Sequence, residues 1–186
     1  MAWDRQLAAR KYDSSRARHV GTLSAFGTVR HMVFFVIELK TRIVHIGGIR
    51  VDPDEAWMIQ IVRNLCDPTD GFLRRARFLV HDRDPLFTKQ WKLLLASSGI
   101  SSVAIPAQSP NCNPHAERFI KSIRNECLDR FIIFGEAHLR HLLREYVSHY
   151  NAERYHQGMG WQAFGLKMLL PPTTTTSRTP SKRVID

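Results

Sequence analysis

Hydrophobic positions are sparse and aperiodic over the first thirty residues. Arg5, Arg10, Lys11, Arg16, Arg18 and Arg30 stand against Asp4 and Asp13, so residues 1–30 are expected to be a basic, irregular lead-in. Only His19–Phe26 has the composition of a weak strand. From His31 the pattern changes. The runs HMVFFVIEL (31–39) and RIVHIGGIRV (42–51) are rich in β-branched and aromatic residues and predict two strands. A link as short as Lys40-Thr41 makes them antiparallel neighbours, and Gly47-Gly48 is an expected bulge.

Further on, apolar residues recur at helical spacing. Asp52-Pro53-Asp54-Glu55 suits an N-cap at Asp52, a first helical residue at Pro53 and a capping box closed by Glu55. That helix is expected to run to Leu65, burying Trp57, Ile61 and Leu65. Phe78-Leu79-Val80 predicts a buried strand ending at His81-Asp82, followed by a helix over 87–96 and a strand over 102–105. A strand–helix–strand unit of this length implies a parallel crossover. Asn113 and Pro114 read as N-cap and first residue of a helix reaching Arg130, and a last helix covers 136–150. The order predicts a mixed α/β domain with helices on both sides of a sheet.

Charge narrows the partners. Lys and Arg total 27 against 17 Asp and Glu, a formal net charge of +10, which favours polyanions. The three cysteines, Cys66, Cys112 and Cys127, form no CxxC pair, which suits a reducing compartment. There is no apolar stretch long enough to span a bilayer and no signal-peptide core at the start, so a cytoplasmic protein without a membrane is expected. Residues 171–186, with four consecutive threonines, read as a disordered tail.

Asp82 stands where a buried strand ends, the edge of an α/β sheet at which ligand sites collect; it equally suits a cap of the following helix. Glu117 falls in the first turn of its helix, a position that also simply suits the helix dipole. At 100° per residue, Lys121 and Arg124 lie within about 40° of Glu117, so the three share a face. Phe119, Ile120, Ile123 and Cys127 fall on the opposite arc, towards the core. An acid above two cations suits a metal-binding carboxylate beside phosphate contacts. Trp57 and Trp91 read as core rather than base-stacking platforms, and Ser98 and Ser109 lack the partners of a hydrolase triad.

The stretch His81-Asp82-Arg83-Asp84-Pro85-Leu86-Phe87-Thr88 resembles the second-acid motif of insertion-sequence transposases and retroviral-type integrases. The stretch from Ser109 to Phe119, continuing through Arg124-Asn125-Glu126-Cys127-Leu128, resembles their third-acid motif. Thirty-five residues separate Asp82 from Glu117, matching the family's Asp–Glu spacing. Ile37–Arg42, His149-Tyr150-Asn151 and Tyr155-His156-Gln157-Gly158 resemble its second strand and closing segment. The likeness spans residues 31–160, leaving 1–30 as a lead-in and 161–186 as a tail.

This resemblance implies a ribonuclease H-like fold and Mg²⁺- or Mn²⁺-dependent DNA strand transfer by a homo-oligomer. Asp82 and Glu117 become catalytic metal ligands, and Arg118, Lys121, Arg124 and Arg154 become DNA contacts. The family's first acid lies on the opening strand, some twenty residues before Glu38, near Arg16. No such strand with an Asp stands there, so the opening strand reads as degraded, leaving Asp13, Glu38 or nothing as the source of that ligand. Two alternatives stay open: a catalytically inactive remnant that keeps DNA or multimer contacts, and a nuclease of the same superfold acting on RNA–DNA hybrids.

Overall fold

A computed structural model describes residues 6–12, 21–24, 27–106 and 114–153. Among these residues eight strands occur: β1 (Gln6–Tyr12), β2 (Gly21–Ser24), β3 (Gly27–Arg30), β4 (Met32–Glu38), β5 (Val44–Arg50), β6 (Phe78–His81), β7 (Ser101–Ala104) and β8 (Ile133–Phe134). The helices are α1 (Glu55–Leu65), α2 (Lys89–Ser97), α3 (Pro114–Glu126) and α4 (Gly135–Glu153). Asn113, Cys112, Asp13, Arg154 and the expected tail lie outside the described residues.

The main sheet runs β5-β4-β1-β6-β7. β1 is antiparallel to β4, and β4 to β5; β6 is parallel to both β1 and β7. The β6–α2–β7 unit is thus the crossover its spacing predicts. β4 is buried from Val33 to Glu38, as a strand covered on both faces must be. Its side chains alternate between two cores. Val33, Phe35 and Ile37 pack with Phe119, Ile123, Leu139, Leu143 and Tyr150 of α3 and α4. Phe34 and Val36 pack with Met58, Ile61 and Val62 of α1 and Trp91 and Leu95 of α2.

The lead-in departs from expectation. Far from being irregular, it supplies the central strand of the main sheet and the hairpin β2–β3. QLAARKY has no run of β-branched residues, and its strand conformation comes from pairing on both sides: Ala8 faces Ile37 on β4 and Val80 on β6. Tertiary pairing overrides a weak local preference. β2 and β3 form a second sheet with β8, in the order β3-β2-β8. Its inward residues Thr22 and Ile133 are register partners and buried, while their neighbours Leu23 and Phe134 are paired and exposed.

The bulge falls where expected. Register partners pass from Phe34–Gly48 to Phe35–Ile46, skipping Gly47. A Cβ on Gly47 would stand 2.7 Å from the Phe34 ring, so the close approach of α1 and β4 needs glycine there. The start of α1 is shifted. Asp54, not Asp52, is the N-cap, accepting a hydrogen bond from the Trp57 N–H at 2.8 Å. Asp52 instead turns the chain out of β5 with φ at 48°. At the far end of the fold, Asn151 locks α4 to the sheet edge. Its Oδ1 accepts from Val44 N–H at 2.9 Å and its Nδ2 donates to Val44 C=O at 3.0 Å, satisfying two edge groups of β5 as a neighbouring strand would.

Candidate metal and nucleic-acid site

Asp82 is the first residue beyond β6 and is half-buried. Its Oδ1 accepts a hydrogen bond from the Asp84 N–H at 3.2 Å, and Asp84 Oδ1 accepts from Leu86 N–H at 2.9 Å. The two acids shape successive turns into α2, whose cap is Thr88, bound by Trp91 N–H at 3.2 Å. The local role of Asp82 and its position at a strand's carboxyl end therefore coexist.

His81 is a structural residue. It is buried, in contact with the Phe87 ring at 4.5 Å and the Trp91 ring at 5.2 Å between centroids. Nδ1 meets the Asp82 carbonyl, and Nε2 meets Ser102 Oγ at 2.8 Å. A carbonyl only accepts, so Nδ1 carries the proton and the serine hydroxyl donates to Nε2. Burial pushes the imidazole pKa down, opposed in part by the bond to the Asp82 carbonyl.

Glu117 lies half-buried in the first turn of α3. The core arc behaves as its spacing predicts: Phe119, Ile123 and Cys127 are buried and Ile120 packs against them. Phe119 sits 4.8 Å from the Phe35 ring and 5.1 Å from that of Tyr150, so α3 is held between β4 and α4. α3 also contacts β1, which pairs with β6. The elements bearing Asp82 and Glu117 thus meet at the central strand.

The predicted cations divide. Arg118 and Lys121 are exposed. Arg124 pairs with Asp129, with Nε 3.2 Å from Oδ2. Arg154 lies outside the described residues. β1 contains no acid. Continuing its register with β6, where Ala8 faces Val80, brings Arg10 level with Asp82. Glu38 faces Leu7, three residues away along the strand, which is about 10 Å; it accepts a hydrogen bond from Thr41 Oγ1 at 2.7 Å. Its place at that end of β4 removes it from the level of Asp82. Among the described residues, no group of three His, Cys, Asp or Glu side chains is arranged to hold a metal ion.

Residues 98–163 match the integrase core domain family. A chain of the simian T-cell lymphotropic virus intasome, in complex with PP2A regulatory subunit B56 gamma, superposes with a TM-score of 0.65 at 12% identity, over 96% of this chain and 60% of that one. The magnesium-bound catalytic core domain of HTLV-2 integrase superposes in its dimeric form with a TM-score of 0.56 at 11% identity, over 83% of this chain and 91% of that one. Its trimeric form gives 0.59 at 10% identity, over 83% and 90%. The chain has the ribonuclease H-like fold of an integrase catalytic core. It spans about three-fifths of the intasome chain. No curated protein sequence matches it.

The family match begins at Ser98. Asp82 and the opening strand lie before the matched segment, whereas Glu117 lies inside it. No helix among the described residues is long and apolar enough to cross a membrane.

Proposed function

We propose that this chain acts in DNA transposition or integration as an integrase-type core that binds DNA, with Asp82 and Glu117 as ligands of Mg²⁺ or Mn²⁺. The reading is carried by Asp82 at the carboxyl end of β6 and Glu117 in the first turn of α3, on elements that meet at β1. Hard divalent ions take oxygen ligands, and Mg²⁺ is commonly held by one or two carboxylates with water and substrate phosphate completing the shell. Two carboxylates therefore suit one such ion. A second ion, as in two-metal phosphoryl transfer, lacks an acid from β1. When bound, the metal supplies charge stabilisation to a reacting phosphate. The protein's own part is to present the two acids from rigid elements and to neutralise flanking phosphates with Arg118 and Lys121. A cytoplasmic homo-oligomer is the natural working form of such a core.

The acid-free β1 favours a second reading, a strand-transfer-deficient remnant that retains DNA or multimer contacts. The two are separated by assaying nicking and joining of terminal-repeat DNA with Mg²⁺ and Mn²⁺. Activity abolished by Glu117→Gln supports the metal-dependent enzyme; DNA binding with no metal-dependent product supports the remnant. Asp13→Asn tests the remaining source of a third acid.

A further inference from the structure

The small sheet β3-β2-β8 departs from the rule that the solvent side of a sheet is polar. Its inward residues Thr22 and Ile133 are buried, and its outward face is apolar as well. Leu23 and Phe134 are register partners and share that face. Ile132, one step before β8, alternates to the same side as Phe134. Leu23, Phe134 and Ile132 are 44%, 64% and 66% exposed, and Phe131, next to Ile132, is 53% exposed. A single exposed residue such as Leu93 on α2 needs no explanation; four together do. They open on the order of 400 Å² of apolar surface. An interface of standard size takes about 800 Å² from each partner, roughly 60% of it apolar. The face thus supplies most of the apolar area that one such interface needs.

The face is also held in shape. The Phe134 ring lies parallel to that of His138, with 4° between planes and 6.2 Å between centroids. The Phe134 N–H donates to His138 Nδ1 at 3.2 Å. That bond occupies a donor of β8 that β2 does not use, so a partner meets the face of the sheet instead of extending its edge. The surrounding charge selects the partner. Residues 124–140 hold three arginines and three acids, a neutral stretch in a chain of net charge +10. Arg30 is the one charged residue of β2 and β3. A neutral apolar face offers little to DNA phosphates. It is a place where two copies of a strongly basic chain approach with little repulsion.

We propose that the outward face of β2 and β8, centred on Leu23, Ile132 and Phe134, docks a second copy of this chain about a two-fold axis, an inference that rests on the homo-oligomeric reading above. A two-fold axis sets one apolar patch against itself, so no second, complementary surface is required.

Sedimentation velocity on the full chain over a range of concentrations tests this, at high salt, where exposed charge pairs are screened. The unsubstituted chain is expected to be a dimer at micromolar concentration, as interfaces of this size allow. Ile132→Asp and Phe134→Ser should each raise the dimer dissociation constant at least tenfold, and Leu93→Asp, on α2, should leave it unchanged. Helical circular dichroism checks that each variant is folded; Leu23→Thr, a substitution that suits a strand, takes the place of any that is not and is judged by the same outcome. Binding of a DNA duplex at low salt is measured on the same samples. A dimer that persists unweakened in folded Ile132→Asp and Phe134→Ser overturns the inference and leaves the homo-oligomer standing. A dimer weakened as much by Leu93→Asp overturns it too. An unsubstituted chain that stays monomeric and binds DNA overturns the inference and the homo-oligomer, but not the DNA-binding reading.

Discussion

His81 shows how a single side chain beside the candidate site ties chemistry to stability. Burial lowers its pKa from 6.5, so the unfolded chain binds the proton more readily than the folded one. The stabilisation is complete above the unfolded value and is lost as pH falls from about 6.5 towards the depressed folded value. His45, whose ring stacks on Phe72 at 5.0 Å, is shifted down by burial with the same sign. Urea midpoints should therefore be lower at about pH 5.5 than at about pH 7.5, and His81→Asn should shrink that difference without abolishing it. A profile equally steep in the variant would remove His81 from the account. Asn151 makes a different kind of contribution. Truncation to Ala strips both partners from Val44 and should cost about 1–3 kcal/mol in chemical denaturation. The helical side of such detail was legible in advance: the core arc of Phe119, Ile123 and Cys127 follows from spacing alone. The left-handed turn at Arg42 was not, because nothing in Thr41-Arg42-Ile43 signals a positive φ at an arginine.

Among the elements, those with a strong repeating pattern were the readable ones. β4, β5 and β6 carry apolar runs, and α2, α3 and α4 carry helical periodicity, so each was found within a few residues. The shift at the start of α1 has a local cause. Asp52 and Asp54 are both competent caps, and only the left-handed turn at Asp52 decides between them. The loop from α1 to β6 is held more tightly than its composition suggests. A Cβ on Gly71 would lie 2.5 Å from the Asp67 nitrogen and oxygen and from the Leu65 oxygen, all backbone atoms. Such atoms cannot rotate aside, so Gly71→Ala should destabilise by about 1–3 kcal/mol, read as a lower denaturation midpoint. Wild-type stability in that variant would mean the loop is free to reshape. Phe119→Ala should cost more, about 3–5 kcal/mol, because it empties the space between Phe35 and Tyr150 on which the placement of α3 depends.

For the whole molecule, the fold class and the pairing of Asp82 with a strand end were legible, and the opening strand was not. QLAARKY reads as polar and basic. Its place at the centre of the sheet is a property of the partners β4 and β6, which no window of its own residues contains. The net charge of +10 belongs to this scale as well. Duplex DNA affinity should fall steeply with salt, with a log–log slope of several units; affinity independent of salt would rule out the basic surfaces as its source.

The order of assembly carries one more consequence. β1 precedes β4 and β6 in the sequence, yet it binds both, and their partners for Ala8 are Ile37 and Val80. Until both are present, the centre of the sheet has no ladder to join, and closing the larger loop costs entropy before any contact repays it. During synthesis the hairpin β4–β5 can form early, with one edge exposed where β1 will dock, and that edge is a template for another chain. Removing residues 1–12 should leave it exposed for good. The truncated protein should aggregate instead of yielding a smaller soluble core, as light scattering after refolding would register.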